Sequence, residues 1–302
     1  MARTLGLRTV ALAAVAMLTA CATPRERIDW VAYEASLRSI GDLRTETAPV
    51  DAPFSNDDLV RNFARIALRH EADIRQAGSD SNARPNPLQR WEGPIRYSLL
   101  GEGATAEDLD EIDTLMARVG ALTGLEVSPT SIGSNLIVLI TKPGERRGIQ
   151  AVLSEHHPAL GQSFALWRDN PEIVCAATNL IAERNRHEII FGVIMIGDEV
   201  RGLLRQSCLH EEIIQALGLG NDHPAVRPSI FNDDEEFALL TLHDEWLVRL
   251  LYDRRLRLGM TEREAVPVLR RILPGLRPDT VVGDPDRDLP PPHPGPVVRS
   301  TS

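Results

Sequence analysis

Aromatic side chains are scarce in this 302-residue chain, at 4%. There are only three cysteines, and acidic residues outnumber basic ones by 43 to 33. No basic cluster offsets that excess, so nucleic acid is not expected as a partner. The apolar run from Thr9 to Met17 is too short to span a bilayer as a mature helix. What remains is a 43% hydrophobic share, enough for the core of one main domain.

The N-terminus carries Arg3 and Arg8 ahead of the apolar run, the layout of an export signal. Leu18-Thr19-Ala20-Cys21 then resembles a bacterial lipobox, which implies a signal peptide over 1–20 and a lipid on Cys21. Ala22 in place of aspartate resembles Gram-negative lipoproteins sorted to the outer membrane, which would place the chain on its periplasmic face. Cys175 and Cys208 are the remaining pair, and an oxidising compartment suits a disulfide between them.

Along the chain, 21–54 reads as a proline-interrupted tether with one helix-like run around Trp30 to Leu37. Residues 55–86 read as a capped helix from Ser55 to about Gln76, followed by a polar loop. A domain over 87–275 follows, and a proline-rich, disordered tail over 276–302. Within the domain, strands are expected at 88–97, 125–128, 135–141, 172–180 and 188–196. The run Ile137 to Ile140 is apolar throughout and suits a central strand. Helices are expected at 106–122, 146–155, from Asp198 through the motif below, around 240–253, and from Thr261 to Leu273.

The motif occupies Glu211-Glu212-Ile213-Ile214-Gln215-Ala216-Leu217-Gly218-Leu219-Gly220-Asn221-Asp222. Helical spacing places Glu211 and Gln215 on one face, and Gly218 ends the helix so that Asn221 or Asp222 can return towards them. The pattern resembles the zinc-binding helix of matrixin-type metzincin peptidases, with Glu211, Gln215 and Asn221 at the three histidine positions. Glu212 falls at the position of the general base. The resemblance continues through Ser229-Ile230-Phe231, a turn under the cleft, and through a helix ending in Leu251-Tyr252. Together with Asn221-Asp222 and Asn232-Asp233, these features are also similar to domain-of-unknown-function family 2927. The implied fold is α+β and zincin-like, a mixed twisted sheet followed by the motif helix and C-terminal helices.

Zinc prefers nitrogen and sulfur donors, whereas an oxygen set of Glu211, Gln215 and Asn221 or Asp222 suits other divalent cations better. The same side chains could instead bond one another and staple the turn. His210 stands one residue out of register, about 100° round the helix, and flanks the cleft. His223 lies on the turn as a spare ligand, and His243 reads as structural. Asp233 to Glu236 suit a solvated helix start or a calcium site. Three functions stay open: a non-catalytic module binding a peptide or envelope protein, a metal-dependent hydrolase using Glu212, and a structural envelope lipoprotein.

Overall fold

The computed structural model describes residues 28–70, 84–232 and 234–277. The lipobox, the signal peptide, most of the polar loop, Asp233 and the proline-rich tail lie outside the described residues. Chain order is α1 (Trp30–Ile40), α2 (Asn56–Ala67), β1 (Arg69–His70), β2 (Arg84–Pro85), β3 (Ile95–Leu100), α3 (Ala106–Thr123), β4 (Val127–Pro129) and β5 (Leu136–Thr141). There follow α4 (Arg146–His156), α5 (Pro158–Asp169), β6 (Cys175–Ile181), β7 (Ile189–Gly197), α6 (Gly202–Gln215), α7 (Leu242–Leu251) and α8 (Glu262–Leu276). Among the described residues no helix is long and apolar enough to cross a membrane.

Five strands form one sheet in the order β4-β3-β5-β7-β6. The first four are parallel neighbours and β6 alone runs antiparallel, at an edge beside β7. The expected mixed sheet is present, with a larger parallel share than an α+β fold implies. Helix α3 crosses between the parallel neighbours β3 and β4, while α4 and α5 intervene between β5 and the β6–β7 hairpin.

The central strands show why their sequences are apolar throughout. Leu136, Val138 and Ile140 of β5 join the main core, while Leu139 faces a second, smaller one. On β7, Ile194 and Ile196 face the first core, and Val193 and Met195 the second. Successive side chains of a strand point to opposite faces, and both faces here are covered. Each full burial of such a side chain stabilises the fold by roughly 2 kcal/mol. Helices α2, α3, α6, α7 and α8 cover the main face. Leu160, Phe164 and Trp167 of α5 close the other.

Four expectations change. Helix α2 stops at Ala67 rather than near Gln76, because Arg69 and His70 pair with Arg84 and Pro85. The motif helix starts at Gly202, not Asp198, whose carboxylate is bound by Arg205 at 2.8 Å and Arg201 at 2.7 Å. Part of the segment read as tether belongs to the domain. Leu43, Ala52 and Phe54 are buried, and Leu43 N–H and Arg44 N–H donate to the carbonyls of Glu235 and Glu236. The acidic run opens no helix: Glu236 is held by Arg44 and Arg227, and the next helix begins at Leu242.

Candidate functional site

The motif helix α6 delivers Glu211 and Gln215 to one face, and Gly218 turns the chain back. Gly218 has φ +117°, a left-handed value, and a Cβ there would run into the Gln89 carbonyl oxygen. The returning segment brings Asp222, not Asn221, to the pair. Gln215 Nε2 donates to both carboxylate oxygens of Asp222, at 3.0 and 3.1 Å, and lies 3.4 Å from Glu211 Oε1. Asn221 is buried and turns the other way, donating to the Arg65 carbonyl of α2 at 2.8 Å and to the Asp222 carbonyl at 3.0 Å. The three positions spaced like zinc ligands therefore hold a carboxylate, an amide donor and an asparagine committed elsewhere.

This donor set does not fit zinc. The amide nitrogen of Gln215 presents hydrogens to the two carboxylates and has no lone pair to give a cation. Among the described residues no group of three or more His, Cys, Asp or Glu side chains is arranged to hold a metal ion. Glu212 is 5% exposed and sits one residue round the helix from Glu211, about 100° away.

The three histidines have structural partners. His210 Nδ1 accepts from Leu240 N–H at 2.9 Å, so its proton sits on Nε2, 2.7 Å from Glu111 Oε1. It thereby ties α6 to α3 and to the approach of α7. The His210 hydrogen bond holds the Glu111 carboxyl below its ordinary range. His223 is buried, and its Nδ1 accepts from Ala225 N–H at 3.0 Å. His243 is fully buried, 3.0 Å from the Asn62 amide and edge-on to Phe54.

Downstream of the motif, Ser229, Ile230 and Phe231 form a buried turn, and the Phe231 carbonyl accepts from His223 N–H at 2.9 Å. Asp244, fully buried, anchors it: Ser229 Oγ donates at 2.5 Å and Ile230 N–H at 3.1 Å. The same carboxylate accepts from Thr241 N–H at 3.0 Å and lies 2.8 Å from the Thr241 hydroxyl, closing a capping box at the start of α7.

Sequence reasoning missed the groups that finish the motif helix. Carbonyls at a helix C-terminus need outside donors. The Ala216 carbonyl takes the Trp91 indole N–H at 2.9 Å and the Asn179 amide at 3.3 Å, and the Leu217 carbonyl takes the Tyr252 hydroxyl at 3.0 Å. Burial pushes the Tyr252 phenol well above its usual range, so it stays a donor. Of the chain's four tryptophans and three tyrosines, Trp91 and Tyr252 take this role, and no local sequence pattern sets them apart from the others.

Cys175 and Cys208 form a disulfide with Cα atoms 5.9 Å apart. It joins the edge strand β6 to the middle of α6, and Asn179 adds a second link four residues on. Cys175, Ala177 and Ile181 pack on the α6 side of the sheet, and Ala176 and Leu180 on the α5 side.

Neither curated proteins nor solved structures match the chain. The family model described as "Protein of unknown function (DUF2927)" matches residues 56–271, a span that contains the motif helix, the buried turn, the disulfide and the whole five-stranded sheet. The chain belongs to that family.

Proposed function

We propose that this is a cell-envelope lipoprotein, anchored through a lipid on Cys21 at the periplasmic face of the outer membrane. Its domain is a degenerate, zincin-like module that binds an extended peptide without cleaving it. The observation that carries the non-catalytic reading is the Gln215 amide between Glu211 and Asp222. Hydrogen bonds there replace the cross-link a cation would make between the helix and the returning turn. The resemblance in the motif, the Ser-Ile-Phe turn and the Leu-Tyr helix supports the zincin-like reading. The disulfide supports an oxidising compartment.

The full chain, equilibrated with zinc and desalted, is expected to retain less than about a tenth of an equivalent by elemental mass spectrometry. An oxygen-rich set carrying amide hydrogens is a poor zinc site. Near-stoichiometric zinc that disappears in a Glu211→Ala, Gln215→Ala variant would overturn the reading in favour of a hydrolase with Glu212 as base.

The proposed binding surface is the outer edge of β6, which pairs only with β7 among the described strands. Gly197 N–H donates to the Val174 carbonyl, and the register pairs Cys175 with Ile196. In an antiparallel ladder, bonded and non-bonded pairs alternate. Ala176, Thr178 and Leu180 therefore bond to β7, while the backbone of Cys175, Ala177 and Asn179 faces outward. An extended chain can add to such an edge as another strand. Ala177→Pro removes one outward N–H without removing a ladder bond. It is expected to keep the melting transition and to lose retention of a degenerate hexapeptide pool on the immobilised full chain. Undiminished retention would show that peptides do not bind at this edge.

A further inference from the structure

A cavity of about 310 Å³ lies at the carboxyl ends of β5 and β7 and the amino end of β6. It is at the opposite end of α6 from Gln215, roughly 20 Å away along a helix rising 1.5 Å per residue. It is therefore separate from the motif. Its size is at the small end for ligand sites.

The charges around it are unevenly matched. Arg146 is paired with Glu199 and donates to the Thr141 carbonyl at 3.0 Å. Arg168 is paired with Asp169 at 2.7 Å. Arg147 lines the same cavity and is exposed; it makes no hydrogen bond or close ion pair among the described residues, and its charge bears on the Asp169 carboxylate that Arg168 already holds. It is also the second residue of α4, whose N-terminus has no side-chain cap. The Glu145 carboxylate is turned away to the amides of Glu102 and Lys142, at 2.9 and 2.8 Å. A Cβ built at Gly148, in that first turn, would meet nothing within 4 Å, so the approach is open. First-turn amides and a cation together favour an anion. A second observation also points to a ligand. Trp167 lines the cavity at 2% exposure, and its indole N–H is buried without an acceptor among the described residues.

Strand direction says which anion. A peptide added antiparallel to β6 runs opposite to it, so its carboxyl end emerges beside Val174, which lines this cavity. We propose that the cavity receives the carboxyl-terminal residue of a bound peptide. Arg147 and the first turn of α4 hold the terminal carboxylate, and Trp30, Ile173 and Trp167 surround the last side chain. The proposal rests on the peptide-binding reading above and narrows its ligand class to free chain ends.

The test uses two degenerate hexapeptide pools, one with free carboxyl ends and one amidated, retained on the full chain and quantified by mass spectrometry. The free-acid pool is expected to be retained at least tenfold better. Arg147→Ala should erase that preference and leave the amidated pool unchanged, while Arg147→Lys should keep part of it. Equal retention of both pools on the unaltered chain would overturn the carboxylate proposal and leave strand addition standing. Retention of neither pool would overturn both. A preference that survives Arg147→Ala would place the carboxylate elsewhere.

Discussion

Replacing Asp244 by alanine is expected to remove a large part of the domain's stability. The carboxylate is fully buried and accepts from Ser229 Oγ, Ile230 N–H and Thr241 N–H, with the Thr241 hydroxyl also in reach. Alanine strands the first three donors at once, while the Thr241 hydroxyl keeps the Pro228 carbonyl at 3.0 Å. Each buried donor left unpaired costs about 1–3 kcal/mol, so a loss on the order of 4 kcal/mol or more is expected. Domains of this kind are stable by only about 5–15 kcal/mol in total. Two elements lose their join together, the turn at Ser229 and Ile230 and the start of α7. Asp244→Asn keeps an acceptor oxygen and should cost distinctly less. Urea unfolding of the three proteins measures the order. An alanine variant within about 1 kcal/mol of wild type, the range of an ordinary single hydrogen bond, would show that the network is dispensable.

The second large effect is expected from Cys175→Ser with Cys208→Ser. The bridge closes a loop with a sequence separation of 33. In the chain-entropy description, opening a loop of that length lowers stability by about 3–4 kcal/mol. The loss should also be local. With the bridge gone, the Asn179 amide still bonds β6 to the Ala216 carbonyl at the end of α6. Hydrogen exchange should therefore rise in 175–181 more than in β5, whose neighbours hold it on both sides. A uniform rise across the sheet would show that the disulfide acts on the whole fold and not on the edge. Reducing agent applied to the unaltered protein should reproduce the pattern.

Much of the fold was readable because local pattern and tertiary demand agree. The apolar run of β5 announces a strand covered on both faces, and the capped helices α2, α3, α7 and α8 begin at Ser or Thr with an acid three residues on. Helix α5 was missed although Pro158 at its first turn and Leu160, Phe164 and Trp167 at helical spacing are sound signals. The α2 overrun was not readable locally, since the stop comes from pairing with residues 84 and 85. At the site, spacing alone brought Glu211 and Gln215 together. It left Asn221 and Asp222 open, because which of two neighbours turns inward depends on the Arg65 carbonyl of a distant helix. Glu111 was invisible for the same reason, and Asp244 was readable only as the cap of α7: their other partners lie 99 and 15 residues away.

The cavity is bordered by Ile28 and Trp30, near the first described residue. Six residues, 22–27, separate Cys21 from Ile28, a contour of at most roughly 25 Å when fully drawn out. A lipid on Cys21 would therefore act as a short leash fixed at the cavity rim, and not as a long line. The domain could tilt but not roam, and the mouth of the cavity would be held towards the bilayer. Ligands would then have to come from a thin layer next to the membrane. Lengthening 22–27 with a flexible insert should change which partners are reached without altering any contact inside the domain.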